Sequence, residues 1–267
     1  MLNDAANQHF LKAEHLLEEG KVNESITELR LTLSVAPDYA KAHYNLGVLL
    51  ERERKHRSAL AEYQSAIESD PHLLEARLNY AVLLAKTKRN KEAITADRKA
   101  LEIFPDSAEL HYNLAKALEY QGASDEAVLE YRAAVRIKPT LVQAFNNLGR
   151  ALLLSEDWNG AIEAYQEAVS LNVKWEKAYF GLGCAYAKIG RTTEAIAALK
   201  YGLRLNPQDA DTLLELGRCF LIQAIEDRSQ ASIILAQEAL NKARLLQPYN
   251  LQIYKAILRA KSLQRKV

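Results

Sequence analysis

The chain has 267 residues, 49% of them apolar, with 35 basic side chains against 34 acidic ones. That composition excludes a disordered chain, and no apolar run approaches the ~18 residues of a membrane-spanning helix. A net charge of +1 lacks the basic excess expected of a protein that grips phosphate backbones.

The opening stretch MLNDAANQHFLKAEHLLEEG has no basic start, apolar centre and small-residue cleavage site of a secretory kind, so a cytoplasmic location is expected. A unit over residues 6–39 comes first, with Lys12-Ala13 where later units carry Leu-Gly, and with Ser25 and Thr32 where they carry alanine. A terminal unit has one uncovered face, which is expected to tolerate that polarity. Residues 40–73 then read as two helices. His43, Leu46, Gly47 and Leu50 keep the i, i+3, i+4, i+7 spacing, and Ala59, Leu60, Tyr63, Ala66 and Ile67 repeat it. Residues 74–107 follow the same plan, but Asp97 stands where Tyr63, Tyr131 and Tyr165 stand elsewhere. A buried carboxyl needs a partner or solvent, so looser packing is expected there. Units at 108–141, 142–175 and 176–209 keep the period, and the unit at 210–250 is seven residues longer around AIEDRSQASII. Seven residues are about two helical turns, so both helices can lengthen in phase. A last helix is predicted over 251–263, with Leu251, Tyr254, Ile257 and Leu258 on its packed stripe and five basic residues on the remainder, as a solubilising cap.

Pro37, Pro71, Pro105, Pro139 and Pro207 all fall on one 34-residue grid, broken only by Val173, and each proline ends a second helix. Gly20, Gly122 and Gly190 mark the turns inside the pairs. This pattern resembles the tetratricopeptide repeat family in period, helix order and residue type. The resemblance implies an all-α fold: a right-handed α-solenoid of stacked helix-turn-helix units in a single domain over 1–267, closed by the helix at 251–263. It also implies that the first helices line a concave wall.

On each first helix the 3.6-residue period places positions 4, 7, 8 and 11 of the unit in the packing and turns positions 2, 5, 6, 9 and 13 to the groove. Asn45, Asn79, Asn113 and Asn147 all occupy position 6. An amide offers an acceptor and two donors, enough to pair with the C=O and N–H of an extended peptide. A similar asparagine ladder lines the repeat superhelix of O-linked N-acetylglucosamine transferase, where it holds substrate peptides. Four rungs supply ~2–6 kcal/mol against association costs of ~4 kcal/mol or more, so neighbours must anchor the ligand. The candidates are Tyr44, Tyr112 and Phe180 at position 5, Val48, Val82, Lys116, Arg150, Cys184 and Arg218 at position 9, and Arg52, Lys86, Tyr120 and Lys188 at position 13. This set is apolar and basic, which selects a protein or peptide ligand, extended, with apolar and acidic side chains.

The chemistry-bearing residues otherwise take structural readings. His9, His43 and His111 recur at position 4, too far apart to share a metal, and Cys184 and Cys219 read as reduced, partly buried thiols. No glycine-rich phosphate loop or nucleophile–base–acid set is present, so no cofactor, no metal and no enzymatic activity are expected. A clamp for chaperone tail carboxylates would need a basic position 5 and an asparagine at position 9, and no unit has either. The expected function is a protein–protein interaction scaffold. Two alternatives stay open: the targeting region of a larger enzyme such as a protein glycosyltransferase, and an anionic-surface or nucleic-acid binder through the basic turns ERERKHR (51–57) and KTKRNK (86–91).

Overall fold

Proline sets where the second helices stop. The computed structural model describes residues 2–265, with side chains from Asp4 onward. The helices before Pro37, Pro71, Pro105, Pro139 and Pro207 end at Val35, Ser69, Leu101, Ile137 and Leu205, because a residue ahead of proline is pushed out of the helical region. First helices begin at Ala40, Leu74, Ala108, Val142, Glu176 and Ala210, each 34 residues after the last.

Packing divides the chain into two compact units, Met1–Ile137 and Lys138–Val267. The period alone gave no boundary there. The first unit holds four hairpins: α1 (Leu2–Glu18) with α2 (Val22–Val35), α3 (Ala40–Arg52) with α4 (His56–Ser69), α5 (Leu74–Lys86) with α6 (Asn90–Leu101), and α7 (Ala108–Gln121) with α8 (Ser124–Ile137). The second holds α9 (Val142–Leu154) with α10 (Trp158–Leu171), α11 (Glu176–Lys188) with α12 (Thr192–Leu205), α13 (Ala210–Glu226) with α14 (Gln230–Leu246), and a final α15 (Leu251–Gln264). Among the described residues there is no strand, and both units are all-α helical-repeat solenoids. The long hairpin puts its extra residues into both helices, 17 residues in α13 and 17 in α14.

Every hairpin turns through one residue with a left-handed backbone. Gly20, Gly122 and Gly190 hold φ of 76°, 86° and 77° there, while Arg54, Lys88, Glu156 and Arg228 hold 60°, 63°, 62° and 50°. The expectation of glycine at the turn therefore covers only three of the seven, and the other four carry a side chain in a region that L residues avoid.

Inside each pair, Ala59, Ala93, Ala127, Ala161 and Ala195 are fully buried and let the helix axes approach. The first helices bury a wider stripe than expected. Positions 3 and 10, such as Ala42 with Leu49 and Ala76 with Leu83, are as buried as positions 7, 8 and 11, since each of these helices packs on its own partner and on neighbouring hairpins. Position 4 is half-exposed instead, where His9, His43 and His111 pair with Glu28, Glu62 and Glu130 at 2.6, 2.6 and 2.5 Å.

Two expectations about the ends are corrected. Ser25 and Thr32 do not lie on an uncovered face: both are buried, and their hydroxyls donate to Ala13 O at 2.8 Å and Glu28 O at 2.9 Å, which satisfies them without solvent. In α15 the buried stripe is Ile253, Ala256, Ile257 and Ala260, while Leu251, Tyr254 and Leu258 are 63%, 44% and 65% exposed. Small alanines permit close approach to α14, so they win the packed face over the larger side chains. Lys266, counted among that helix's basic residues, lies outside the described residues.

Candidate functional site

Seven of the candidate positions ride on α3 and α5. Tyr44, Asn45, Val48, Asn79 and Val82 are half-buried, and Lys86 is exposed, as is Arg52 at the end of α3. On α7, Tyr112, Asn113 and Lys116 are half-buried, with Lys116 Nζ 5.3 Å above the Tyr112 ring. These ten residues share the first unit; Asn147, half-buried, and Arg150, exposed, stand on α9 of the second.

The asparagines differ in what they already hold. In the second hairpin the buried Tyr63 hydroxyl donates to Glu51 Oε2 at 3.0 Å, and Lys86 Nζ reaches Glu51 Oε1 at 2.7 Å. Asn79 Nδ2 donates to the Tyr44 hydroxyl at 3.3 Å, with the Tyr63 phenol close by. Burial, with the Glu51 carboxylate beside it, holds Tyr63 well above the usual phenol range. Asn147 accepts from Asn146 Nδ2 at 3.4 Å. Neither the Asn45 nor the Asn113 amide has a hydrogen-bond partner among the described residues.

The third hairpin breaks the arrangement at several corresponding places. Thirty-four residues on from Gly47, Glu51 and Tyr63 stand Ala81, Ala85 and Asp97, while Arg77 and Ala96 replace the His43–Glu62 pair. With the ring and its carboxylate acceptor both gone, a cavity of about 510 Å³ opens among α5, α6 and α7, lined by Ala81, Val82, Ala85, Lys86, Lys88, Asn90, Asp97, Asn113, Lys116 and Tyr120. Asp97 is 1% exposed and its Oδ1 has no hydrogen-bond partner among the described residues. Burial pushes its carboxyl up to about 8, since an unpaired carboxylate is poorly solvated there. The loosening expected of this unit takes the form of a cavity, and the candidate positions Val82, Lys86, Asn113 and Lys116 are among its lining residues. Reading Ala85 together with Asp97 would have pointed to it.

The second unit has its own cavity of about 610 Å³, bordered by Phe180, Cys184, Lys188, Arg218, Cys219, Lys255 and Arg259 among others. Arg218 pairs with Glu215 at 2.5 Å and donates to Gln252 at 3.1 Å, and Lys188 lies 5.4 Å over Trp158. Lys255 and Arg259 have no charged partner among the described residues, so the walls carry a positive excess. Cys184 and Cys219 are free thiols, both pushed up to about 12 by burial, which keeps them protonated and unreactive at neutral pH.

The basic turns are partly neutralised: Lys55 pairs with Glu53 at 2.7 Å, Lys86 with Glu51 at 2.7 Å and Arg89 with Glu92 at 2.6 Å. Among the described residues no helix is long and apolar enough to cross a membrane.

Models of the tetratricopeptide repeat match residues 10–73, 49–108, 98–128 and 176–209, and a TPR repeat model matches 149–190. Among solved structures, YrrB, a TPR protein with an unusual peptide-binding site, is 25% identical over 73% of this chain and 96% of its own, with a TM-score of 0.63. The C-terminal part of a TPR repeat-containing protein from Cytophaga hutchinsonii is 15% identical over 93% of this chain and 99% of its own, at a TM-score of 0.73. A chain of the APC/C hetero-tetramer Cut9–Hcn1 aligns with 93% of this one at 22% identity and a TM-score of 0.64, with 48% of its own length covered. The last two likenesses are of fold alone. No match was found among curated proteins. Repeat models over most of the chain, the recurring hairpins and the shared fold agree: this chain belongs to the tetratricopeptide repeat family, whose repeats are protein–protein interaction scaffolds and generally non-catalytic.

Proposed function

We propose that the chain is a non-catalytic adaptor that takes an extended peptide segment along the exposed stripe of its first helices. The observation that carries this reading is the pair of unpartnered amides, Asn45 and Asn113, set between apolar and basic neighbours on α3 and α7. An amide left with an acceptor and two donors can hold a peptide backbone without reading its sequence, while side chains around it select. Val48 and Val82 supply apolar contact. Lys116, beside Asn113 on α7, favours acidic side chains on the ligand. YrrB, similar in fold and 25% identical, carries a peptide-binding site, which supports a peptide as the ligand class.

The test is partner capture by the full chain and by Asn45→Ala/Asn79→Ala/Asn113→Ala, with helicity checked by circular dichroism. Capture should fall at least tenfold in the triple variant. Unchanged capture by a folded variant would remove the amides from the binding surface.

A further inference from the structure

We propose that the cavity of the third hairpin is a receptor for a tyrosine side chain of the bound peptide, whose ring lies against Ala81 and Ala85 and whose hydroxyl donates to Asp97. This rests on the peptide-binding reading above for the direction from which the ligand arrives.

The cavity is a tyrosine site with its own tyrosine replaced. In the second hairpin the Tyr63 ring packs beside Gly47 and its hydroxyl donates to Glu51; the fourth hairpin keeps a fully buried Tyr131 with an alanine, Ala115, at the place of Gly47, as the third has Ala81. The corresponding residues of the third hairpin and the next first helix, Ala81, Ala85, Asp97 and Asn113, all line the cavity. Tyr131 repeats the filled arrangement in the fourth hairpin, donating to Glu119 at 3.0 Å. The intervening site thus lies between two hairpins whose corresponding place holds a buried tyrosine ring.

Its volume of about 510 Å³ lies in the range of small-ligand sites, ~300–1,000 Å³. Asp97 settles which aromatic group. Its Oδ1 is buried and unpartnered, so a ring without a donor leaves that oxygen unsatisfied, whereas a phenol O–H supplies the missing bond. A cationic side chain is disfavoured by Lys86, Lys88 and Lys116, which all line the cavity. The unpartnered Asn113 amide offers a second contact to the phenol oxygen or to the adjoining peptide group.

The full chain, labelled for amide NMR, is titrated with p-cresol as the phenol probe, toluene as its ring alone and n-butylamine as the cation. The proposal expects saturable shifts at Ala81, Ala85, Asp97 and Asn113, with p-cresol roughly fivefold tighter than toluene, as one added hydrogen bond gives. Asp97→Tyr, which fills the site from within, and Val82→Trp, which blocks its rim without touching the buried core, should each abolish the shifts. It is overturned by no saturable shift at these amides, by toluene or n-butylamine binding as tightly as p-cresol, or by shifts that survive in both variants. A p-cresol failure leaves the adaptor reading to be decided by partner capture, and lost capture with p-cresol binding intact would fault that reading instead.

Discussion

The Asn79 amide donates to the Tyr44 hydroxyl at 3.3 Å, from one first helix to the preceding one, whereas Asn113 at the same position of the next repeat has no hydrogen-bond partner among the described residues. The difference begins on the second helices. Asn79 has Tyr63 beside it, and Asn113 has Asp97 and a cavity. One repeated residue type therefore serves two ends, holding hairpins together at 79 and facing open space at 113.

That contrast predicts unequal costs for the same mutation. Asn79→Ala removes a hydrogen bond and should lower the unfolding free energy by ~1 kcal/mol, while Asn113→Ala should stay within ~0.5 kcal/mol of the parent. Urea unfolding of both single variants checks this, and equal losses would contradict it.

Rebuilding the neighbouring arrangement should stabilise the third hairpin. Asp97→Tyr with Ala85→Glu restores a ring in the cavity and an acceptor for its hydroxyl, and removes a buried acid without a partner. A gain of ~1–3 kcal/mol is expected from the combined change, read as a rise in melting temperature. A lower melting temperature would mean that the cavity is not shaped for the ring.

Asp97 also makes stability depend on pH in a definite sense. Its carboxyl is held at about 8 in the fold against an ordinary 3.8, so between those values the folded chain binds the extra proton. The contribution of Asp97 to stability should therefore be greatest below about pH 4, fall as pH rises toward 8 and level off above it. His43, raised by its hydrogen bond to Glu62 and by the Pro37 carbonyl against the lowering effect of burial, adds a fall in the same direction near and above its ordinary 6.5. Asp97→Asn should remove the carboxyl's share, leaving a flatter profile from pH 4 to 8 with its largest gain at pH 8. An unchanged profile would show the carboxyl is not held neutral.

The left-handed turn residues predict opposite responses to one kind of change. Arg54→Gly and Glu156→Gly relieve a side chain from φ of 60° and 62°, and each should stabilise by ~0.5–1 kcal/mol. Gly20→Ala and Gly190→Ala, at φ of 76° and 77°, should each cost ~1 kcal/mol, although neither added Cβ meets a neighbour. Thermal melts of the four variants separate backbone strain from packing.

The hairpins were legible in the sequence because their causes are local. Proline cannot continue a helix, and apolar spacing of 3.6 marks a packed face, so the all-α repeat follows from residues a few places apart. The same periodicity puts Asn45, Asn79 and Asn113 on the exposed stripe. Only the tertiary structure decided which amides were already engaged, since Tyr44 lies 35 residues from Asn79 and meets it only when hairpins stack. It also turned Asp97 from a loosely packed residue into the wall of a cavity, because a cavity is made by what three helices leave out. Volume, unlike periodicity, is a property of residues brought together from distant parts of the chain. For the same reason Ile253, Ala256, Ile257 and Ala260 took the packed face of α15 ahead of Leu251, Tyr254 and Leu258: the sequence offered two apolar stripes, and close approach to α14 chose the one with alanines.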